Sequence, residues 1–188
     1  MDRNVSRSPE AVAARAARTI ALQMLEERGR GAVLVGVARV DAALESLLQA
    51  VMAPCPTNRD ELFRPERPLG SFGAKVALAH RLGLINDPIE RALSVLRKLR
   101  NSFAHSADSA TLTDEPHSKR LEATYAQARK NQLWSPLEGI LDTQSPPENG
   151  DLPAPLRDYI LLITILVALL EVTASQAKPI ESPIRISF

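Results

Sequence analysis

Residues 159–170 read Tyr-Ile-Leu-Leu-Ile-Thr-Ile-Leu-Val-Ala-Leu-Leu, and this run constrains the fold more than any other stretch of the chain. A segment that is apolar nearly all round has no face for water, so it needs cover from several neighbours at once. At about half of the ~20 residues needed to cross a hydrocarbon core, the run is too short to read as a membrane span. It predicts instead a buried helix from Pro155 to about Gln176, the central member of a bundle. Aromatic residues make up 4% of the chain, and Ala and Leu dominate its apolar set, a mixture that favours helix over strand.

The remaining helices follow from caps and periodicity. Ser8, Pro9 and Glu10 supply a capping hydroxyl, a proline at the first helical position and a carboxylate in the first turn. That helix is expected to run to about Arg28 and stop at Gly29-Arg30-Gly31. From Ala32 to Met52, Val33, Val37, Val40, Leu44, Leu47, Leu48 and Val51 form one stripe at helical spacing. Pro54 and Pro56 end it, and residues 58–69 read as a loop rich in proline and charge. Ser71 opens a short helix that Gly83 closes, and Asn86-Asp87-Pro88 caps a fourth that ends close to His105. A polar fifth helix is expected from Thr113 to about Lys130. Residues 135–155, with five prolines and two glycines, predict a long connection. The fold expected is all-α: one domain over residues 1–177, a bundle of five or six helices, with a C-terminal tail over 178–188.

Several chemistries are excluded by what is missing. The one cysteine, Cys55, allows neither a disulfide within the chain nor a cysteine-based zinc site, and fits a reducing cytoplasm. His80, His105 and His117 show no metal-ligand spacing, and no phosphate-cradling glycine loop is present, so no metal and no cofactor is expected. With 23 Lys+Arg against 22 Asp+Glu, the formal net charge of +1 lacks the basic excess of a protein that coats nucleic acid. Arg15 and Arg18 break any apolar stretch that could serve as a secretory signal.

Asp41 and Glu45 sit four residues apart at the border of the second helix's apolar stripe. Like charges at that spacing cost a few tenths of a kcal/mol unless a cation is near. They are read either as a solvated flank or as a structural ion-pair site that holds an Arg or His from another helix, Arg100 among the candidates. Lys75 is expected in solvent, His80 half-buried, His117 on the surface, Cys55 as an incidental loop thiol, and Trp134 as the anchor of the long connection.

The most informative segment is Leu69–Ile85, LGSFGAKVALAHRLGLI, followed at Leu96–His105 by LRKLRNSFAH. The two linked motifs resemble the mannitol operon repressor (MtlR) family, and the similarity runs from the second helix through His105. The resemblance implies a compact all-helical fold, assembly as a homodimer, and a regulatory protein that acts through protein partners or within a transcriptional complex. No helix pair carries an evident DNA-reading face rich in Arg, Lys, Asn or Gln.

The end of the same segment, Arg100-Asn101-Ser102-Phe103-Ala104-His105, is similar to the Arg, polar residue, spacer, His signature of the HEPN superfamily, which includes metal-independent ribonucleases. That resemblance carries over Arg100, Asn101 and His105 as candidate catalytic residues, with two copies of His105 meeting across a dimer. The chemistry is sound in outline. Histidine moves a proton near neutral pH, and arginine stabilises charge that develops on a phosphorane. Arg97 and Lys98 are the candidate contacts to an RNA backbone. Positions five apart on a helix lie about 140° round it, however, so Arg100 and His105 share a face only if the helix ends between them. The bland alternative makes all three structural: Arg100 held by a carboxylate, Asn101 bonded to backbone and His105 capping a helix end.

Overall fold

A computed structural model describes residues 19–24, 27, 29–55, 60–105, 111–144 and 153–180. Among them are seven α-helical segments, one 3-10 turn and no strand, an all-α bundle. The segments are α1 (19–24), α2 (Arg30–Val51), α3 (Phe72–Arg81), α4 (Asp87–His105), α5 (His117–Ala128), α6 (Trp134–Gln144) and α7 (Ala154–Gln176). The cap expected at Ser8–Glu10 and most of the tail after 178 lie outside the described residues.

The centre is α7. Residues 159–168 are buried without a break, and α2 lies along them in the most extensive seam of the molecule. The seam is close because Gly36 is small: a Cβ there would sit 2.9 Å from Met24 Cε and 3.1 Å from both Ile163 Cγ1 and Tyr159 Oη. Tyr159 is fully buried, and its hydroxyl donates to the Val33 carbonyl at 2.9 Å, so the polar atom it brings into the core is satisfied. By length and composition α7, at 23 residues, could cross a membrane. Its most apolar window is 61% buried inside the protein, as the core helix of a bundle is.

Local signals set the boundaries of α3 and α4. Ser71 Oγ accepts from the Ala74 N–H at 3.2 Å, and Asn86 Oδ1 accepts from the Ile89 N–H at 3.2 Å. Gly83 takes φ 70, the left-handed conformation that closes α3 and that a side chain would disfavour. Within residues 58–69, Glu61–Phe63 forms the 3-10 turn, and Phe63 is buried. The fifth helix begins at His117, four residues later than Thr113 suggested.

The connection expected over 135–155 needs correction. Its first part is α6, which runs to Gln144 and packs on α7 through Leu137 and Leu141. Pro136 misled the reading because proline is tolerated in the first turn, where the lost N–H has no intrahelical partner anyway. Gly139 lies on a side where an added Cβ would meet nothing. Trp134, buried at 5% exposure, opens α6 rather than pinning a loop, with the Arg129 guanidinium 5.5 Å from its ring centre.

Candidate functional site

Three places carry chemistry. At the C-terminal end of α4, Arg97, Lys98, Arg100, Asn101 and His105 are all exposed. Arg97 lies across α3 at Gly73, where a Cβ would come within 2.6 Å of its Nη1. The α-helix continues through His105, so Arg100 and His105 point about 140° apart. Arg100 borders a cavity of about 190 Å³ that Asp41, Glu45, Phe72 and Lys75 also line. Neither His105 nor Asn101 lines it. Near His105, Arg30 of α2 donates through Nη2 to the Ala104 carbonyl at 3.1 Å, one of the last carbonyls of α4.

The second place is that cavity's wall, and it corrects two expectations. The cation facing the acidic pair is Lys75, not Arg100, and Lys75 is buried at 3% exposure rather than solvated. Its Nζ donates to Glu45 Oε2 at 2.9 Å and lies 2.5 Å from Asp41 Oδ1, a charge contact without hydrogen-bond geometry. The periodicity signal for this burial was there to read. Phe72, Lys75, Val76 and Ala79 stand at i, i+3, i+4 and i+7, and all four are buried. A lysine on that stripe has to find carboxylates on the helix opposite, because a buried ammonium without a partner is costly.

The remaining histidines divide. His80 is half-buried, its Nε2 2.9 Å from Asp87 Oδ1. His117 is buried rather than on the surface. Its Nε2 lies 3.2 Å from Ser102 Oγ, and its ring packs on Phe103 with centroids 5.4 Å apart. Both contacts come from α4, and nothing near His117 in sequence announces them. Just ahead of α5, Asp114 Oδ2 accepts from the Thr111 N–H at 2.7 Å, which holds its carboxyl below the usual range. Cys55 is exposed.

The third place is a groove of about 500 Å³ between α4, α5 and α7, which the sequence did not single out. Its floor is the α7 stripe Leu162, Ile165, Leu166 and Leu169. It stays open because α5 faces it with Ala123 and Ala128, too small to fill the space, while the larger Leu121 and Tyr125 turn into the core. Tyr125 packs near Asp158, which pairs with Arg129 at 2.5 Å. Burial first, and then the Asp158 charge, push its phenol well above the usual range. Among the described residues no group of His, Cys, Asp and Glu could hold a metal ion.

No family model matches this chain, and no curated protein matches it. Among solved structures, its fold is similar to that of a chain in the X-ray structure of the MtlR–HPr complex from Escherichia coli. The TM-score is 0.60 at 16% identity, over 83% of this chain and 98% of that one. At that identity the likeness is one of fold.

Proposed function

We propose that this protein is a regulator of the mannitol operon repressor type, and that it acts by binding a protein partner rather than by reading DNA or carrying out a reaction. What supports the reading is the extent of the structural likeness: nearly the whole of the neighbour's chain is matched, in a structure of MtlR complexed with HPr. The LGSFGAKVALAHRLGLI and LRKLRNSFAH motifs resemble the same family. The reading places residues 1–177 in one functional unit, in the cytoplasm and as a homodimer, with 178–188 as its tail. HPr of the protein's own host is the first partner to test. Titration calorimetry with purified HPr, run beside size-exclusion chromatography, should show saturable binding and a joint peak. Heat flow that never saturates, with separate peaks, would overturn the HPr assignment.

One observation favours a second reading, that of a HEPN-type endoribonuclease. Arg100, Asn101 and His105 are all exposed beside Arg97 and Lys98, so an RNA backbone could reach them. Arg100 and His105 diverge on one continuous helix, so a single copy does not assemble the pair. Purified protein is incubated with RNA in EDTA beside His105→Ala and Arg100→Ala. Cleavage by wild type that both variants lose supports the nuclease. If all three are inert, this reading ends.

A further inference from the structure

The groove between α4, α5 and α7 has cations on its rim and an aliphatic floor. Arg91, Lys98 and Arg120 line it, all exposed, and not one of its eighteen lining residues is a carboxylate. In a chain with a net charge of only +1, that is a local concentration of cations. No ion pair joins any of the three to a described carboxylate. Of the cations outside the groove, Lys75 is matched by two carboxylates, Arg129 by Asp158 and Arg157 by Glu138, whereas Arg81, Arg97 and Arg100 form no ion pair with a described carboxylate either. Unmatched rim charges over an aliphatic floor call for a ligand that is acidic on one side and apolar on the other.

Shape narrows the class. Along α4 and its cap the lining runs from Asn86 to Lys98, and along α5 and the turn after it from Arg120 to Asn131, a trough roughly 18 Å long at 1.5 Å per residue. That is about three turns of helix. The floor repeats at i, i+3, i+4 and i+7, which offers a ridge for the apolar stripe of another helix to pack along. A single-stranded nucleic acid fits poorly, because no Phe, Tyr or Trp lines the trough to stack on a base. We infer that this groove docks an acidic amphipathic helix presented by a partner protein, leucine-like anchors against α7 and carboxylates toward Arg91, Lys98 and Arg120. The two helices that form its walls run antiparallel, with the N-terminal end of α5 held at the C-terminal end of α4 by the Ser102–His117 and Phe103–His117 contacts. Lys98 and Arg120 therefore mark one end of the trough, and Asn86 and Asn131 the other. The negative end of a docked helix dipole belongs at the Lys98 and Arg120 end.

The inference rests on the reading that the chain works through a protein partner, and a designed probe separates the two. The probe is a fluorescein-labelled, Glu-rich peptide of about 14 residues with leucines at i, i+3, i+4 and i+7. Its anisotropy is followed as the full-length protein is added, beside a scrambled peptide of the same composition. Saturable binding is expected for the patterned peptide alone, weakening as salt rises. Arg91→Glu, Lys98→Glu and Arg120→Glu should each weaken it roughly three- to fivefold. Together they should do so by roughly 30-fold or more, with thermal melting unchanged because all three side chains are exposed. Equal binding of the scrambled peptide, or undiminished binding by the triple variant, overturns the inference. So does displacement of the peptide by single-stranded RNA, or concentration-dependent dimerisation that the triple variant loses, since each assigns the groove to another occupant. Peptide binding without HPr binding would leave the groove standing and remove HPr. HPr binding without peptide binding would do the reverse.

Discussion

α2 packs against two neighbours by opposite means. Against α7 the seam is apolar and tight: aliphatic side chains, one glycine at closest approach and one satisfied hydroxyl. Against α3 it meets a buried ammonium that faces two carboxylates. Apolar packing scales with area and tolerates small shifts, whereas the Lys75 contact is satisfied only when α3 sits at one register and rotation on α2. The α7 seam supplies adhesion, and the α3 seam supplies position for the helix on which Arg97 rests.

The largest effect should come from emptying the charged seam on one side. Asp41→Asn with Glu45→Gln leaves Lys75 buried without a counter-charge and should destabilise the protein by about 3–5 kcal/mol in urea unfolding. Adding Lys75→Met to that pair should return most of the loss, because an apolar side chain of similar length needs no partner. Failure of the rescue would show that the three residues do more than balance charge. Lys75→Ala alone should cost less than the acidic double variant, since both carboxylate side chains are 32% exposed and can be hydrated.

Next in size is Gly36→Ala in the apolar seam. Alanine gains about 1 kcal/mol of helix propensity, but a Cβ at 2.9–3.1 Å from three side-chain atoms costs about 1–3 kcal/mol in overpacking. A net loss of up to about 2 kcal/mol by thermal melting is expected. A gain would mean that the seam relaxes more readily than its contacts imply. Tyr159→Phe removes the hydroxyl bonded to Val33 and should cost about 1 kcal/mol.

The smallest effect concerns pH. Partial burial raises the Glu171 carboxyl above its ordinary range, with the Arg39 charge opposing. The folded state therefore holds this proton more tightly than the unfolded chain. Its contribution is fully present below the unfolded value and is lost as pH rises through the raised folded one. Glu171→Gln should stabilise the protein slightly at neutral pH and flatten the dependence of stability on pH in that window. An unchanged pH profile would place the carboxylate in water.

What was legible in the sequence follows from what local pattern encodes. α2, α3, α4 and α7 carry stripes or all-round apolar runs with caps or breaks at their ends, so their places were readable. α6 was not, because Pro136 and Gly139 look like loop residues until one sees that the first occupies a first turn and the second a side with no neighbour. The acidic pair was visible as an oddity on a stripe. Its cation is Lys75 rather than an Arg or His, and the signal for it lies not in residue type but in the place of Lys75 on the buried stripe with Phe72, Val76 and Ala79. His117 and the groove escaped altogether: one depends on contacts with α4, and the other on three helices that sequence separates. Where Arg100 and His105 point was decided by where α4 ends, and only the structure sets that.

The position of α7 also bears on how the protein is made. Some 102 residues separate Val51, the last of α2, from Ala154, the first of the helix it packs against. At ~5–20 residues per second, a nascent chain carries the apolar stripe of α2 for roughly 5–20 s before its partner is synthesised. The bundle can close only after the ribosome has made its centre. Until then Val33, Val37, Val40 and Leu44 are a demand on whatever shields hydrophobic chains in the cell.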